Sequence, residues 1–306
     1  MTGRTTAAAG LLCAALSATT LGAQAAPPYF APGVITIPEA TTYRPTFSPD
    51  GRTVIYSMEV GSDYVLLESR RVGRKWMAPR VLPFSGRWSD AEAALSPDGR
   101  ELVFASRRPR TGTAPRADYD LWIVERSAGG RWGTPRPLDG LSTPAHELYP
   151  ALTRSGTLYF ARSSPEGSDL FRAARRGGGF GPAEPMAAIN TDRREAGVWV
   201  DAEERVMLFD SNRAGSIGGT DIFLSCRQGG AWGTPRRLDP PVNSLAQETS
   251  GVLSPDGRTL YFTSSRRSPS AAALGEGVTY EGLLRGMGGL GSGRWHTYEV
   301  PVPFAC

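Results

Sequence analysis

Short apolar runs alternate with turn residues along the chain, and one turn is spelled three times: Ser48-Pro49-Asp50-Gly51-Arg52, Ser96-Pro97-Asp98-Gly99-Arg100 and Ser254-Pro255-Asp256-Gly257-Arg258. An apolar residue leads into each copy (Phe47, Leu95, Leu253). A run of strand-forming residues leaves it: Thr53-Val54-Ile55-Tyr56, Leu102-Val103-Phe104 and Leu260-Tyr261-Phe262. Proline presets φ at the second position, aspartate bonds its own backbone and glycine follows at little steric cost, so the phrase predicts a tight β-turn between two strands. Two worn copies lie between the second and third: Thr153-Arg154-Ser155-Gly156 before Leu158-Tyr159-Phe160, and Asp201-Ala202-Glu203-Glu204-Arg205 before Val206-Met207-Leu208-Phe209. The anchors recur about every 50 residues, which predicts a repeat architecture.

Each unit accommodates four strands. Strand A ends at the anchor and strand B follows the turn. Strand C starts at an aspartate in Asp63-Tyr64-Val65, Asp120-Leu121-Trp122, Asp169-Leu170-Phe171 and Asp221-Ile222-Phe223. Strand D grows from an aromatic phrase: Trp76-Met77-Ala78-Pro79, Trp132-Gly133-Thr134-Pro135, Phe180-Gly181-Pro182 and Trp232-Gly233-Thr234-Pro235. Proline suits an outermost strand, where its missing N–H leaves no ladder bond unmade. Four antiparallel strands repeated radially make an all-β fold, a single β-propeller of five four-stranded blades, with six as the alternative count. Phe30-Ala31-Pro32-Gly33-Val34-Ile35 resembles the strand D phrase without a blade of its own, and Trp295 to Val300 reads as strand C of the last blade. Pairing of the last blade with residues near Val34–Thr36 would then close the ring. In another register Trp295 starts strand D.

The turn phrase, preceded by an acidic residue and followed by "DIF" and "WGTP", resembles the WD40-like repeat of the TolB and PD40 propeller group, over about residues 29–302. The resemblance implies a propeller and an extracytoplasmic binding protein or scaffold, in some members the non-catalytic partner of a hydrolase domain. TolB-type proteins have six blades and an extra N-terminal domain. Five units are counted here, so a role in the Tol system is not carried over.

Composition adds a compartment. Arg4, the apolar run Ala7 to Leu21 and Ala23-Gln24-Ala25 follow the order of a secretory signal, giving residues 1–25 as signal peptide and 29–306 as the propeller. Bulky Leu11 and Leu12 before Cys13 argue against lipidation. The mature protein is expected to be periplasmic or secreted, monomeric and without a transmembrane segment. Cys226 and Cys306 remain; export favours their pairing, and two cysteines leave it open. The net charge of +4 is carried almost wholly by arginine, with Lys75 the sole lysine. No basic run is interleaved with aromatics, so no nucleic-acid partner is expected.

Candidate chemistry collects at one mouth of the ring. Six residues before each anchor stand Thr42, Asp90, Glu147, Glu195 and Glu248. Their shared register suggests either a carboxylate ring for a cation or basic peptide, or buried acids bonded to a backbone N–H or arginine of a neighbouring blade. The structural reading is favoured, with Arg107, Arg213 and Arg266 as partners. The B–C loops vary in length, and the longest two carry Arg107, Arg108, Arg110 and Arg116, and Arg266, Arg267 and Arg285. Insertions on one face of a repeat array mark a candidate binding face, here for an anionic or zwitterionic polymer.

Gly286 to Gly291 matches G-x-G-x-x-G but lacks the strand and helix that a dinucleotide site needs. His146 and His296 have no metal-ligand spacing, and Asp118-Tyr119-Asp120 is too sparse for calcium. No cofactor, metal or catalytic residue is therefore assigned. The expected function is a non-catalytic exported module that binds or scaffolds a protein or cell-envelope polymer. The alternative is a glycan- or peptide-acting enzyme using the channel-mouth carboxylates.

Overall fold

The computed structural model describes residues 26–267 and 289–306. The signal-peptide expectation (1–25), Arg285 and the first part of the glycine-rich run lie outside them.

Among the described residues, five antiparallel blades form a ring. The inner strands are Thr42–Phe47, Asp90–Leu95, His146–Leu152, Glu195–Val200 and Glu248–Leu253. Each pairs with a second strand: Thr53–Val60, Glu101–Ser106, Leu158–Ser164, Val206–Ser211 and Thr259–Ser264. The third strands are Asp63–Val72, Asp120–Glu125, Gly167–Ala173, Asp221–Gln228 and His296–Pro301. Four blades end in two-residue outer strands: Arg80–Val81, Arg136–Pro137, Glu184–Pro185 and Arg236–Arg237. Neighbouring inner strands pack together around the whole ring, blade 5 against blade 1 included. Closure leaves only short sheet edges exposed.

The turn works as its composition predicts. Ser48 Oγ donates to Asp50 Oδ1 (2.5 Å) and accepts from the Thr53 N–H (2.9 Å), while Gly51 sits at φ 64°. The same bonds recur at Ser96 and Ser254. The worn fourth copy reaches this geometry by substitution. Asp201 Oδ1 takes the serine's place and accepts from the Val206 N–H (2.8 Å), and Glu204, at φ 55°, takes the glycine's. Glu204 in turn accepts from Thr153 and Ser155 of the neighbouring turn, tying blades 3 and 4.

Closure uses the N-terminal segment, in a register different from the expected one. The residue after each outer strand donates its N–H inward: Leu82 to Leu66 O, Leu138 to Leu121 O, Met186 to Leu170 O and Leu238 to Ile222 O. In the last blade Phe30 does this, to Thr297 O at 2.9 Å, and Tyr29 bridges Tyr298. Phe30 therefore occupies the leucine position rather than the tryptophan position of the phrase. Pairing falls on Pro28 to Phe30, and of the expected Val34–Thr36 stretch the Thr36 hydroxyl alone reaches Thr297 O (3.1 Å). Trp295 to Val300 does supply the third strand. The cause is burial: Phe30 wedges between the end blades against Phe47, Trp76 and Tyr261.

One apolar cluster fills each gap between blades, such as Leu66, Phe104 and Trp122 between blades 1 and 2. A second tie joins blades 4 and 5, because the chain end folds back and Cys306 forms a disulfide with Cys226.

Candidate functional site: the propeller axis

The four repeated acids are 0% exposed. Asp90 Oδ1 accepts from Ser106 Oγ (2.5 Å) and Arg108 Nη2 (2.8 Å). Glu147 accepts from Thr143 Oγ1 (2.6 Å) and Arg162 Nε (2.9 Å). Glu195 is held by Thr191 N and Oγ1, Ser211 Oγ and Arg213 Nη2, between 2.7 and 3.0 Å. Glu248 repeats that set with Ser244, Ser264 and Arg266. Burial pushes the Asp90 and Glu147 carboxyls above their ordinary range despite these donors.

Each arginine comes from the acid's own blade rather than a neighbour. Arg213 and Arg266 take the expected role, Arg108 replaces Arg107, and Arg162 fills it in blade 3. Their guanidinium groups lie over the ring pairs Phe104/Trp122, Phe160/Phe171, Phe209/Phe223 and Phe262/Tyr298. They also donate to carbonyls of the segment entering the blade: Phe84, Leu141, Ile189 and Val242. The motif is thus a clamp of acid, hydroxyl, arginine and two aromatic rings. Blade 1 has Thr42 in place of the acid, and Thr42 meets Thr297 of the last blade instead.

The remaining B–C loop arginines are also engaged. Arg107 donates to Arg116 O (2.8 Å) and lies 3.8 Å from Asp63. Arg110 bridges Asp120 and Asp139, and Arg116 bridges Asp118 and Asp120. Arg267 is exposed. The His146 ring accepts from the Tyr119 N–H, and His296 is buried beside Tyr29. Among the described residues no group of three or more His, Cys, Asp or Glu side chains is placed to hold a metal ion.

A second ring, unanticipated from sequence, lines the axis two residues beyond the acids. Every inner strand carries a β-bulge there, and the bulged residue is left-handed: Arg44 (φ 47°), Glu92 (54°), Tyr149 (55°), Gly197 (56°) and Ser250 (55°). Side-chain-bearing residues seldom adopt this conformation, and bulges re-aim side chains. Gly197 is required, because a Cβ would lie 1.6 Å from Asp210 Oδ1. The side chain of Arg44 crosses the axis and donates from Nη2 to Pro150 O (2.8 Å) and Val198 O (2.5 Å), two blades away. Its Nε lies 3.8 Å from Glu92 Oε2, and its guanidinium lies 5.6 Å from the centre of the Tyr149 ring. Beside this bar, Asp210 pairs with Arg194 (2.6 Å) and accepts from Thr249 Oγ1 (2.6 Å). Burial raises the Glu92 carboxyl to about 7, against the pull of Arg44 and helped by Asp210.

The bar closes one end of a funnel that opens between the Ser-Pro-Asp-Gly turns. This cavity of about 530 Å³ has walls of Leu95, Leu152, Trp199 and Val252, and a rim that includes Arg154, Asp201, Glu203 and Arg205. A narrow well of about 50 Å³ continues it inward to Arg44, Ala94 and Ala151. The chain end, from Val302 through Phe304 to Cys306, forms part of the rim.

No family model matches the sequence, and no curated protein does. Among solved structures, TolB from Acinetobacter baumannii is similar at 11% identity and a TM-score of 0.49, over 86% of this chain and 55% of that one. A puromycin-hydrolyzing peptidase of Mycobacterium tuberculosis is similar at 16% identity and TM-score 0.41, over 77% and 36%. Prolyl oligopeptidase B from Galerina marginata gives 15%, 0.42, 73% and 30%. The chain thus spans about half the length of the TolB structure and about a third of the two peptidases. Independently of these likenesses, the strand pairing above defines the five-bladed propeller. No helix among the described residues is long and apolar enough to cross a membrane.

Proposed function

We propose that the protein is an exported, non-catalytic binding module, and that a protein partner docks at the funnel on the turn face. The observation that carries this reading is the funnel itself: a concavity on the ring axis with a mainly polar lining, Leu95, Leu152, Trp199 and Val252 toward its closed inner end, and a rim bearing both charge signs. The enzyme alternative is not favoured. Acid–base chemistry needs a carboxyl group within reach of a substrate proton, and the repeated acids are buried and engaged by the chain's own donors. A polymer contact through the B–C loops is the second reading, supported by exposed Arg267 and by the loop lengths. Against it, Arg108 is buried on Asp90, and Arg110 and Arg116 are already neutralised.

The test is capture from cell-envelope extract by wild type, Trp199→Ala and the double variant Arg110→Ala/Arg116→Ala, with thermal melts to check that each is folded. Docking at the funnel predicts that Trp199→Ala loses the partner and the arginine variant keeps it. The opposite pattern would move the partner to the B–C loops.

A further inference from the structure

We infer that the well at the inner end of the funnel receives the free C-terminal carboxylate of a partner polypeptide, with Arg44 as its donor. This rests on the binding-module reading above.

Arg44 is 1% exposed, yet its guanidinium is only partly satisfied. Nη2 donates to two carbonyls, Nε faces Glu92 at a distance too long for a hydrogen bond, and Nη1 has no partner among the described residues. A guanidinium carries five donors in a planar fork that matches a carboxylate, and a buried cation needs an anion with good geometry. The bulge and the two carbonyls hold the group rigidly across the axis, so little ordering is left for binding to supply. The well in front of it has room for a small planar group on a slender stem and none for a bulky headgroup.

The walls indicate what the carboxylate is attached to. Next to the well stand Leu95, Leu152, Trp199 and Val252, suited to the last one or two side chains of a peptide. Further out, Arg154, Arg205, Asp201 and Glu203 offer donors and acceptors to an extended backbone. These groups already pair with one another, Arg154 with Glu203 and Arg205 with Asp201, but their exposed outer faces can still bond a peptide backbone and have nothing to offer an alkyl chain, which favours a polypeptide over a fatty acid.

The experiment uses the whole protein and a library of acetylated hexapeptides randomised at the last three positions, prepared as free acids and as C-terminal amides. Titration calorimetry on the best binders should show the acid at least ten-fold tighter than its amide. Arg44→Met should bring the two to the same affinity, whereas Trp199→Ala should weaken both. If Arg44→Met does not fold, the acid–amide comparison on the wild-type protein still decides. Equal affinity for acid and amide, lost together in Trp199→Ala, would overturn this inference and leave the funnel as a docking site. Binding of neither form would overturn it too, with the envelope capture judging the wider reading. Sodium decanoate binding more tightly than every peptide acid would assign the well to an amphiphile and refute the polypeptide.

Discussion

Replacing Glu195 by alanine removes the acceptor of four hydrogen bonds at once. Thr191 loses partners for its N–H and hydroxyl, Ser211 loses its acceptor, and the Arg213 guanidinium is left over Phe209 and Phe223 without its anion. Breaking a buried pair from one side costs about 3–5 kcal/mol. A domain of this kind has about 5–15 kcal/mol in all. At about 2–4 °C per kcal/mol, the expected fall in Tm is about 6–20 °C. Glu195→Gln keeps one acceptor for Ser211 and Arg213 but turns an amide donor toward the Thr191 N–H, so about 1–3 kcal/mol is expected. Urea unfolding followed by tryptophan fluorescence measures both, and a cycle with Arg213→Ala isolates the pair. A cost below about 1 kcal/mol for Glu195→Ala, or zero coupling, would refute the view that the clamp holds the blade together.

Glu92 gives a pH dependence of opposite sign to an ordinary paired carboxylate. Its folded pKa, about 7, lies above the unfolded value of 4.5, so the folded state holds the extra proton and stability falls as pH rises between them. Glu92→Gln should therefore gain on wild type by up to about 3 kcal/mol across that window; a difference independent of pH would contradict the assignment. Cys306→Ser opens a loop of 80 residues, for which the chain-entropy relation gives up to about 4.5 kcal/mol. Its melt should match that of wild type in reductant, and an unchanged melt in oxidising buffer would show that the tie is idle. Phe30→Ala empties the wedge between the end blades and should cost about 3–5 kcal/mol, which denaturant titration would detect.

The turn, the strand order and the register of the acids were legible because each depends on local chemistry: a proline, a glycine, an alternation of apolar residues. The clasp was legible as an element but not in register. Phe30 mimics the aromatic of one phrase while filling the leucine slot of the next position, and burial decides between them. The axial ring was not legible at all. Arg44, Glu92, Tyr149, Gly197 and Ser250 share a backbone conformation imposed by the bulges, not a residue type. Gly197 is the single hint, two residues after Glu195, the offset at which the other four follow Thr42, Asp90, Glu147 and Glu248. Clustered arginines suggest a binding face for an anionic or zwitterionic polymer because sequence shows neighbours along the chain. Asp63, Asp90 and Asp139, which engage Arg107, Arg108 and Arg110, arrive from other strands and loops.

A partner that enters the ring from the turn face must cover the amides at that mouth. Hydrogen–deuterium exchange of the protein, alone and with the captured partner, tests this directly, because these amides lie in peptides separate from those of the B–C loops. Protection is expected at Thr46–Phe47, Leu95–Ser96, Val200–Ala202 and Leu253–Ser254, with Arg107 to Asp118 unchanged. Protection confined to the Arg107–Asp118 loop, with the turn mouth unchanged, would contradict entry from the turn face.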